Sequence, residues 1–394
     1  MIFDHVDFSA LELPEPARRL RAEVREFLAA EAGSFTPHLG HSEFDADFSR
    51  KLGARGWVGM TWPRRYGGHE RTYLERFVVT EEMLAAAAPC AAHWVSDRQS
   101  APSLLRHGSE EQKQHFLPRI ARGECYFAIG MSEPGSGSDL ASVKTRADKV
   151  DGGWRITGQK VWTSWAHKCH AFFCLCRTSP DTGDRHQGLS QLIVDLTAPG
   201  VTIRPILFVD GSHHFNEVFL DGVFVPEERV LGRIGDGWKQ VTSELALERS
   251  GPERFMTTFP LLIELIRRLQ RSPDARAPAL IGRLTARLYA LRRMSLAIAG
   301  EFSRGTDPQT GQVTVQDLAT EAALVKDLGT FYERDITEAA QLLGDCEPSP
   351  DADDKFERFL AECIYGAPVG TIRGGTTQVL RSIVARRLVG SGNR

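Results

Sequence analysis

The spacing of apolar residues changes character twice along this chain, and that limits what it can fold into. Up to about residue 122 the spacing is helical. Leu20, Val24, Phe27 and Leu28 fall at i, i+4, i+7 and i+8, after Pro14 and Pro16, which suit a helix start. "SEEQKQHFLPRI" predicts a second helix, with Ser109 as N-cap and acids in its first turn. "RGWVGMTWPRRYGG" lies between them and reads as an ordered turn.

From about 123 the pattern becomes that of strands. "ECYFAIGM", "SVKTRADKV", "GWRITGQKVWTSW", "AFFCLCRT", "LSQLIVDLT", "VTIRPILFV" and "FNEVFLDGVFV" are rich in β-branched and aromatic residues. Turn residues such as Asp151-Gly152-Gly153 and Pro199-Gly200 separate them, which predicts a compact antiparallel sheet. From 234 onward long segments with apolar stripes return, broken by loops near 304–312 and 345–354. The expectation is an α+β chain in three parts: a helical domain over 1–122, a β domain over 123–233 and a second helical domain over 234–394.

Composition narrows the function. At 394 residues the chain is long for a single core. A net charge of -3 offers nothing to a polyanion, so no nucleic-acid partner is expected. "MIFDHVDFSALELPEP" has no basic leader, and no segment is apolar enough to span a bilayer. Seven cysteines, an odd number without a leader, suit reduced thiols in a cytoplasmic protein. Cys169, His170, Cys174 and Cys176 suggest zinc by proximity, but "AFFCLCRT" alternates like a strand and no second ligand pair follows, so buried thiols and no metal are expected. His213-His214 reads as a solvated loop.

Three stretches carry candidate chemistry. "GMSEPGSGSDL", Gly130 to Leu140, is either a tight turn or a backbone cradle for an anion. "GQKVWTSWAH" is either a half-buried strand or a planar surface at Trp162 flanked by the hydroxyls of Thr163 and Ser164, as a flat heterocycle requires. In "GWKQVTSELALERSGPERF", Trp238, Val241, Leu245, Glu248 and Pro252 follow steps of three and four and share one helix face. A carboxylate on that face is either paired internally, with Arg249 or Arg254, or is a base whose pKa burial raises.

Together these stretches resemble the acyl-CoA dehydrogenase family across nearly the whole chain. "GWVGMTWPRRYGG", "GMSEPGSGSDLASVKTRA", "ITGQKVWTS", "FNEVFLDGVFVPEERVLG" and "LERSG" carry the likeness by their order and spacing. The resemblance implies a helical domain, a β domain and a four-helix bundle, bound FAD, and oxidation of an acyl-CoA thioester to trans-2-enoyl-CoA. It implies that Ile129, Met131 and Ser132 line the flavin, that Gly137 and Ser138 lie by phosphate, and that Trp162, Thr163 and Ser164 lie along its ring edge. Ser138 and Arg249 are implied substrate contacts.

Most members carry the catalytic glutamate just before "GTS" in a C-terminal motif; here "IRGGTTQVLR" has Gly374 there. A minority, including the isovaleryl and long-chain enzymes, carry it on the helix that opens the last domain, and "LALERSG" matches them. Glu248 therefore inherits the role of base, with the Gly374 N–H as a donor to the thioester oxygen and Thr376 and Gln378 as cofactor contacts. Two adenosine-binding motifs depart from the family pattern: no "RxxFG" occurs in "ELIRRLQRSPDARAPAL", and "QLLGDCEPSP" keeps Gln341 and Gly344 but loses the later glycines. The implied partners are an acyl-CoA, an electron-transfer flavoprotein and other subunits in a homo- or heterotetramer, the last because some bacterial relatives pair two different chains with fewer flavins than subunits. The competing expectations are a flavin oxidase or monooxygenase on the same fold, and a non-catalytic subunit supporting a partner's flavin.

Overall fold

The computed structural model describes residues 6, 12–39, 43–179, 183–307, 309–313 and 318–390, with backbone alone at 243–248 and 390. Most of the N-terminal stretch before Glu12, and the side chains of Leu245 and Glu248, thus lie outside the described residues.

The first block is helical. Helix α1 (Glu15–Glu31) buries Leu20, Val24, Phe27 and Leu28, and Pro14 and Pro16 stand at its N-terminus, where a missing N–H costs nothing. Then come α2 (Ala46–Ala54), α3 (Tyr73–Ala85), α4 (Ala91–Val95), α5 (Ala101–His107) and α6 (Glu110–Ala121). Ser109 and Gln112 form a reciprocal capping box at the start of α6, worth about 1 kcal/mol. The Gln112 amide also donates to the carbonyls of Glu228 and Val230, at 2.7 and 2.8 Å, which ties the helical block to the far end of the sheet.

All seven strand segments form strands: β1 (Phe127–Gly130), β2 (Arg146–Val150), β3 (Gly153–Ser164), β4 (Ala171–Arg177), β5 (Leu189–Asp195), β6 (Val201–Leu207) and β7 (His213–Pro226). β2 and β3 make a hairpin whose turn holds Gly152 at φ 73°, a conformation that favours glycine. The sheet is mostly antiparallel, with a departure from expectation at β4, which runs parallel to β1 and, at Arg177, to β2. The β2–β3 hairpin reverses the chain once and the connection from β3 to β4 reverses it again, so β4 enters in the direction of β2 and β1. Strand β4 is buried along both faces, which makes Cys174 and Cys176 core thiols. His213 and His214 correct a second expectation, because they open β7 and are half-buried.

The last block comprises α7 (Gly237–Arg249), α8 (Phe259–Arg271), α9 (Ala277–Gly305), α10 (Ala319–Leu343), α11 (Lys355–Gly370) and α12 (Thr377–Gly390). Phe77 and Val78 of α3 share one apolar cluster with Leu261, Leu291, Tyr332 and Phe359, so the first and last blocks have a common core. Each such side chain contributes roughly 1.5–3 kcal/mol by leaving water. Among the described residues no helix is long and apolar enough to cross a membrane, and no group of three His, Cys, Asp or Glu side chains could hold a metal ion.

Candidate active site

A bulge in β3 joins two of the three stretches singled out in the sequence. Lys160 pairs with Val218 and Thr163 with Asn216, so β3 takes three steps where β7 takes two. Trp162 in this bulge has φ 59°, a left-handed conformation costly for a bulky residue. The bend presents Trp162 to solvent at 54 % exposure, propped edge-on by Phe215 at 5.8 Å. β2 pairs with β3 only as far as Thr157. Farther along, the Val161 N–H donates to the Ser132 carbonyl at 2.9 Å, which lays the glycine-serine stretch alongside Trp162.

That stretch is a turn with a fixed base. Glu133 and Ser136 exchange backbone hydrogen bonds at 2.8 and 3.0 Å, and Asp139 pairs with Arg185. Lys160, with no exposed surface, donates to the Glu133 carboxylate at 2.8 Å and to the Met131 carbonyl at 3.1 Å. Glu133 also accepts the N–H groups of Lys144 and Thr145, at 2.6 and 2.9 Å. Burial alone would raise the Glu133 carboxyl, but Lys160 and these donors together hold it below its ordinary pKa. Met131 is half-buried in the cluster of Val241 and Trp238, so α7 packs against the same segment. Ile129 packs into the neighbouring core.

The implied FAD can be tested against these residues. Among the described residues the Ser132 and Ser164 hydroxyls make no hydrogen bond, and both side chains are half-exposed. A side chain at Gly135 or Gly137 would meet open space, and Ser138 is exposed beside them. An exposed indole face, two uncommitted hydroxyls and an open glycine turn fit a flat heteroaromatic ring with a phosphate tail. Thr163 differs from its neighbours: it has no exposed surface and its hydroxyl is buried without a partner, so only its backbone serves that surface.

The third stretch meets the C-terminal motif. Helix α7 ends at Arg249, so Glu248 lies in its last turn by its backbone, while its side chain lies outside the described residues. Pro252 belongs to the short turn after α7, which corrects its placement on that helix. Arg249 is 5 % exposed and donates from Nε to the Gly374 carbonyl at 3.0 Å. Arg249, the implied substrate contact, also fastens the end of α7 to the loop before α12. Gly374 and Gly375 have φ 65° and 94°, and a Cβ on Gly375 would stand 3.0 Å from the Arg249 guanidinium. With its carbonyl held by Arg249, Gly374 keeps an N–H that has no acceptor among the described residues.

Thr376 caps α12 by accepting the Val379 N–H at 3.4 Å, and Gln378 is exposed on its first turn. Among the described residues neither is hydrogen-bonded to the Trp162 surface. Sequence reasoning missed Glu133, Lys160 and Lys326. The Lys326 ammonium donates to the Gly370 carbonyl at 2.7 Å, joined by Thr330 at 3.3 Å, which anchors the end of α11 four residues before Gly374. Burial, with Arg254 and Arg373 nearby, pushes Lys326 down to about 8.

Comparison with known proteins agrees with this architecture. Residues 14–124 match the pattern described as acyl-CoA dehydrogenase, N-terminal domain, and 128–223 match the middle domain of the same family. The chain is similar to acyl-CoA dehydrogenase IpdE1 of Mycobacterium tuberculosis, 33 % identical over 391 residues, covering 95 % of this chain and 98 % of that protein. Acyl-CoA dehydrogenase FadE34 of Mycobacterium tuberculosis is 35 % identical over 340 residues, covering 86 % of this chain and only 45 % of the longer relative. Among solved structures, a Tcur3481–Tcur3483 steroid ACAD superposes with a TM-score of 0.82 at 28 % identity, over 96 % of this chain and 98 % of that one. With its three-block order, its bulged tryptophan strand and these matches, the chain belongs to the acyl-CoA dehydrogenase family of flavoproteins.

Proposed function

We propose that this chain, holding FAD along Ser132 and Trp162–Ser164, oxidises an acyl-CoA thioester to trans-2-enoyl-CoA. FAD supplies the acceptor for the hydride that leaves Cβ. Glu248 takes the proton from Cα, and the Gly374 N–H donates to the thioester oxygen, since an unassisted α-proton is too weak an acid to remove. The observation that carries the reading is the hydrogen bond from Arg249 to the Gly374 carbonyl. It fastens the residue beside the base to the peptide that polarises the substrate, and two groups that act on one carbonyl system need that fixed separation.

Electrons then pass to an electron-transfer flavoprotein. A flavin oxidase on this fold would pass them to oxygen instead. Anaerobic dye reduction with little peroxide formed in air supports the first reading, and stoichiometric peroxide the second.

The assembly proposed is a tetramer with two kinds of subunit, of which this chain bears the base. Supporting it is the loss of half the adenosine site, where "RxxFG" is missing and "QxxGGxG" is reduced to Gln341 and Gly344. Gly344 has a packing reason of its own: a Cβ there would meet the Ala340 carbonyl at 2.5 Å and the Phe356 ring at 2.6 Å. The similarity to a steroid ACAD named for two chains favours the same assembly, and bulky ring-bearing thioesters as substrates. A panel of acyl-CoAs scored by flavin bleaching, run with flavin-per-chain stoichiometry, tests the proposal. No bleaching by any thioester would sink the reaction, and one flavin per chain in a homotetramer would sink the mixed assembly.

A further inference from the structure

Behind the Trp162 surface lies a hydrogen-bond network that no step above uses. Asn216 on β7 has no exposed surface, and its Nδ2 donates to the Thr163 carbonyl at 3.0 Å. A carbonyl only accepts, so this bond fixes which way the Asn216 amide faces and turns Oδ1 toward two histidines. Oδ1 accepts from His213 Nε2 at 2.8 Å and from His167 Nδ1 at 3.1 Å. An amide oxygen cannot donate, so both rings must present N–H there, which fixes both tautomers. The two imidazoles stack at 4.0 Å between centroids and 17° between planes.

The backbone this network grips is strained. Trp162 at φ 59° and Trp165 at φ 54° bracket Thr163 and Ser164. Such conformations persist in bulky residues only where the surroundings over-determine them. Beside the ladder pairing of Thr163 with Asn216 and Ser164 with Phe215, three contacts do so here. Val161 N–H is held by the Ser132 carbonyl at 2.9 Å and Trp165 N–H by the His214 carbonyl at 2.8 Å, one at each end. Asn216 holds the middle. Its side chain fixes the plane of the Thr163–Ser164 peptide, and that plane sets where the Ser164 hydroxyl points.

We propose that Asn216, locked in place by His167 and His213, is a positioning residue for the flavin edge at Trp162–Ser164. The inference rests on the FAD reading above and adds to it the device that keeps the bulge in its binding shape. His167 and His213 act on the amide, the amide acts on the Thr163 peptide, and the peptide presents Ser164.

Asn216→Asp breaks the contact and sets a carboxylate against the two histidines. The carboxylate keeps the shape of the side chain and still accepts from both histidines, but it has no N–H for the Thr163 carbonyl. In flavin-free protein, amide hydrogen exchange over residues 160–166 is expected to quicken at least tenfold, with exchange in the helical blocks unchanged. The dissociation constant for FAD is expected to rise about tenfold, and the absorption band of bound flavin to move toward that of free FAD. The spectral shift separates positioning from mere support of the fold. A second variant, His167→Ala with His213→Ala, leaves Asn216 intact but unlocked and shifts all three readouts in the same direction by a smaller factor; it carries the test if Asn216→Asp does not fold. Wild-type exchange over 160–166 in whichever variant folds overturns the positioning role, whatever the flavin does. Wild-type chain that takes up no FAD, either alone or assembled with its second kind of subunit, overturns the flavin reading instead, before any variant is made.

Discussion

Lys160 of β3 and Glu133 of the glycine-serine turn form an ion pair 2.8 Å long, with the lysine side chain wholly buried and the glutamate side chain 7 % exposed. The same ammonium holds the Met131 carbonyl, so it grips the chain on both sides of Ser132. Removing one member leaves the other charge buried without its counter-charge, at a cost of about 3–5 kcal/mol. Lys160→Met is therefore expected to lower the urea midpoint sharply, and Lys160→Met with Glu133→Gln, which removes the stranded charge but keeps an acceptor for the Lys144 and Thr145 N–H groups, to recover part of the loss. Glu133 also sets an acid limit. Its folded pKa lies below the ordinary 4.5, so its contribution is complete above that value and is lost as pH falls through the folded one. If Lys160→Met unfolds at the wild-type urea concentration, the pair does not support the turn.

On the flavin reading proposed above, Trp162 sets stability against binding. Its left-handed backbone costs about 1–2 kcal/mol, against an edge contact with Phe215 worth about 0.5–1.5 kcal/mol. Trp162→Gly relieves the first and forfeits the second. The thermal midpoint is expected to hold or rise slightly, while the dissociation constant for FAD rises tenfold or more. A variant that loses stability and keeps its flavin affinity would contradict the assignment of this indole to the cofactor surface.

These residues also show how far the sequence could be read. The seven strands were legible because alternation and turn chemistry are local, and Asp151-Gly152 marks the hairpin unaided. The parallel pairing of β1 with β4 was not, since it depends on where the chain goes between them. Lys160 was detectable in principle. It has the same inward parity on β3 as Trp154 and Ile156, and a lysine at a core position signals a buried partner. Lys326 carried the same signal on α10, where Ala322 and Gly329 are its buried neighbours on one helix face. His213 was misread because paired histidines carry no strand propensity. Its place in β7 comes from Asn216 and the stacked His167, which are tertiary contacts.

Lys326 gives stability an alkaline signature. Its folded pKa is pushed to about 8 from the ordinary 10.5. Between those values the unfolded chain keeps a proton that the folded chain has released, so stability rises with pH across that window. Neutral lysine still donates to Gly370, so the anchor survives deprotonation. The urea midpoint of the wild type, measured against Lys326→Met at each pH, is expected to climb from pH 8 to about 10.5. A flat difference across that range would show that the ammonium is not held at a cost.

On the reaction proposed above, Glu248 and Arg249 are neighbours with separable roles. Glu248→Gln keeps size and polarity but cannot accept the α-proton, so flavin content and thioester affinity should stay near wild type while anaerobic flavin reduction slows by about 10²–10⁴. Arg249→Met instead frees the Gly374 carbonyl, which Arg249 now holds at 3.0 Å. The glycine pair can then leave its left-handed conformation and carry the Gly374 N–H out of line with the thioester. That variant should weaken binding and reduction together, because the donor acts on the bound substrate as well as on the transition state. In the Glu248 variant the step itself is lost and binding is spared. Near-wild-type reduction by Glu248→Gln would move the search for the base to another carboxylate, and an Arg249→Met enzyme with unaltered binding would show that the Gly374 loop keeps its shape without the fastener.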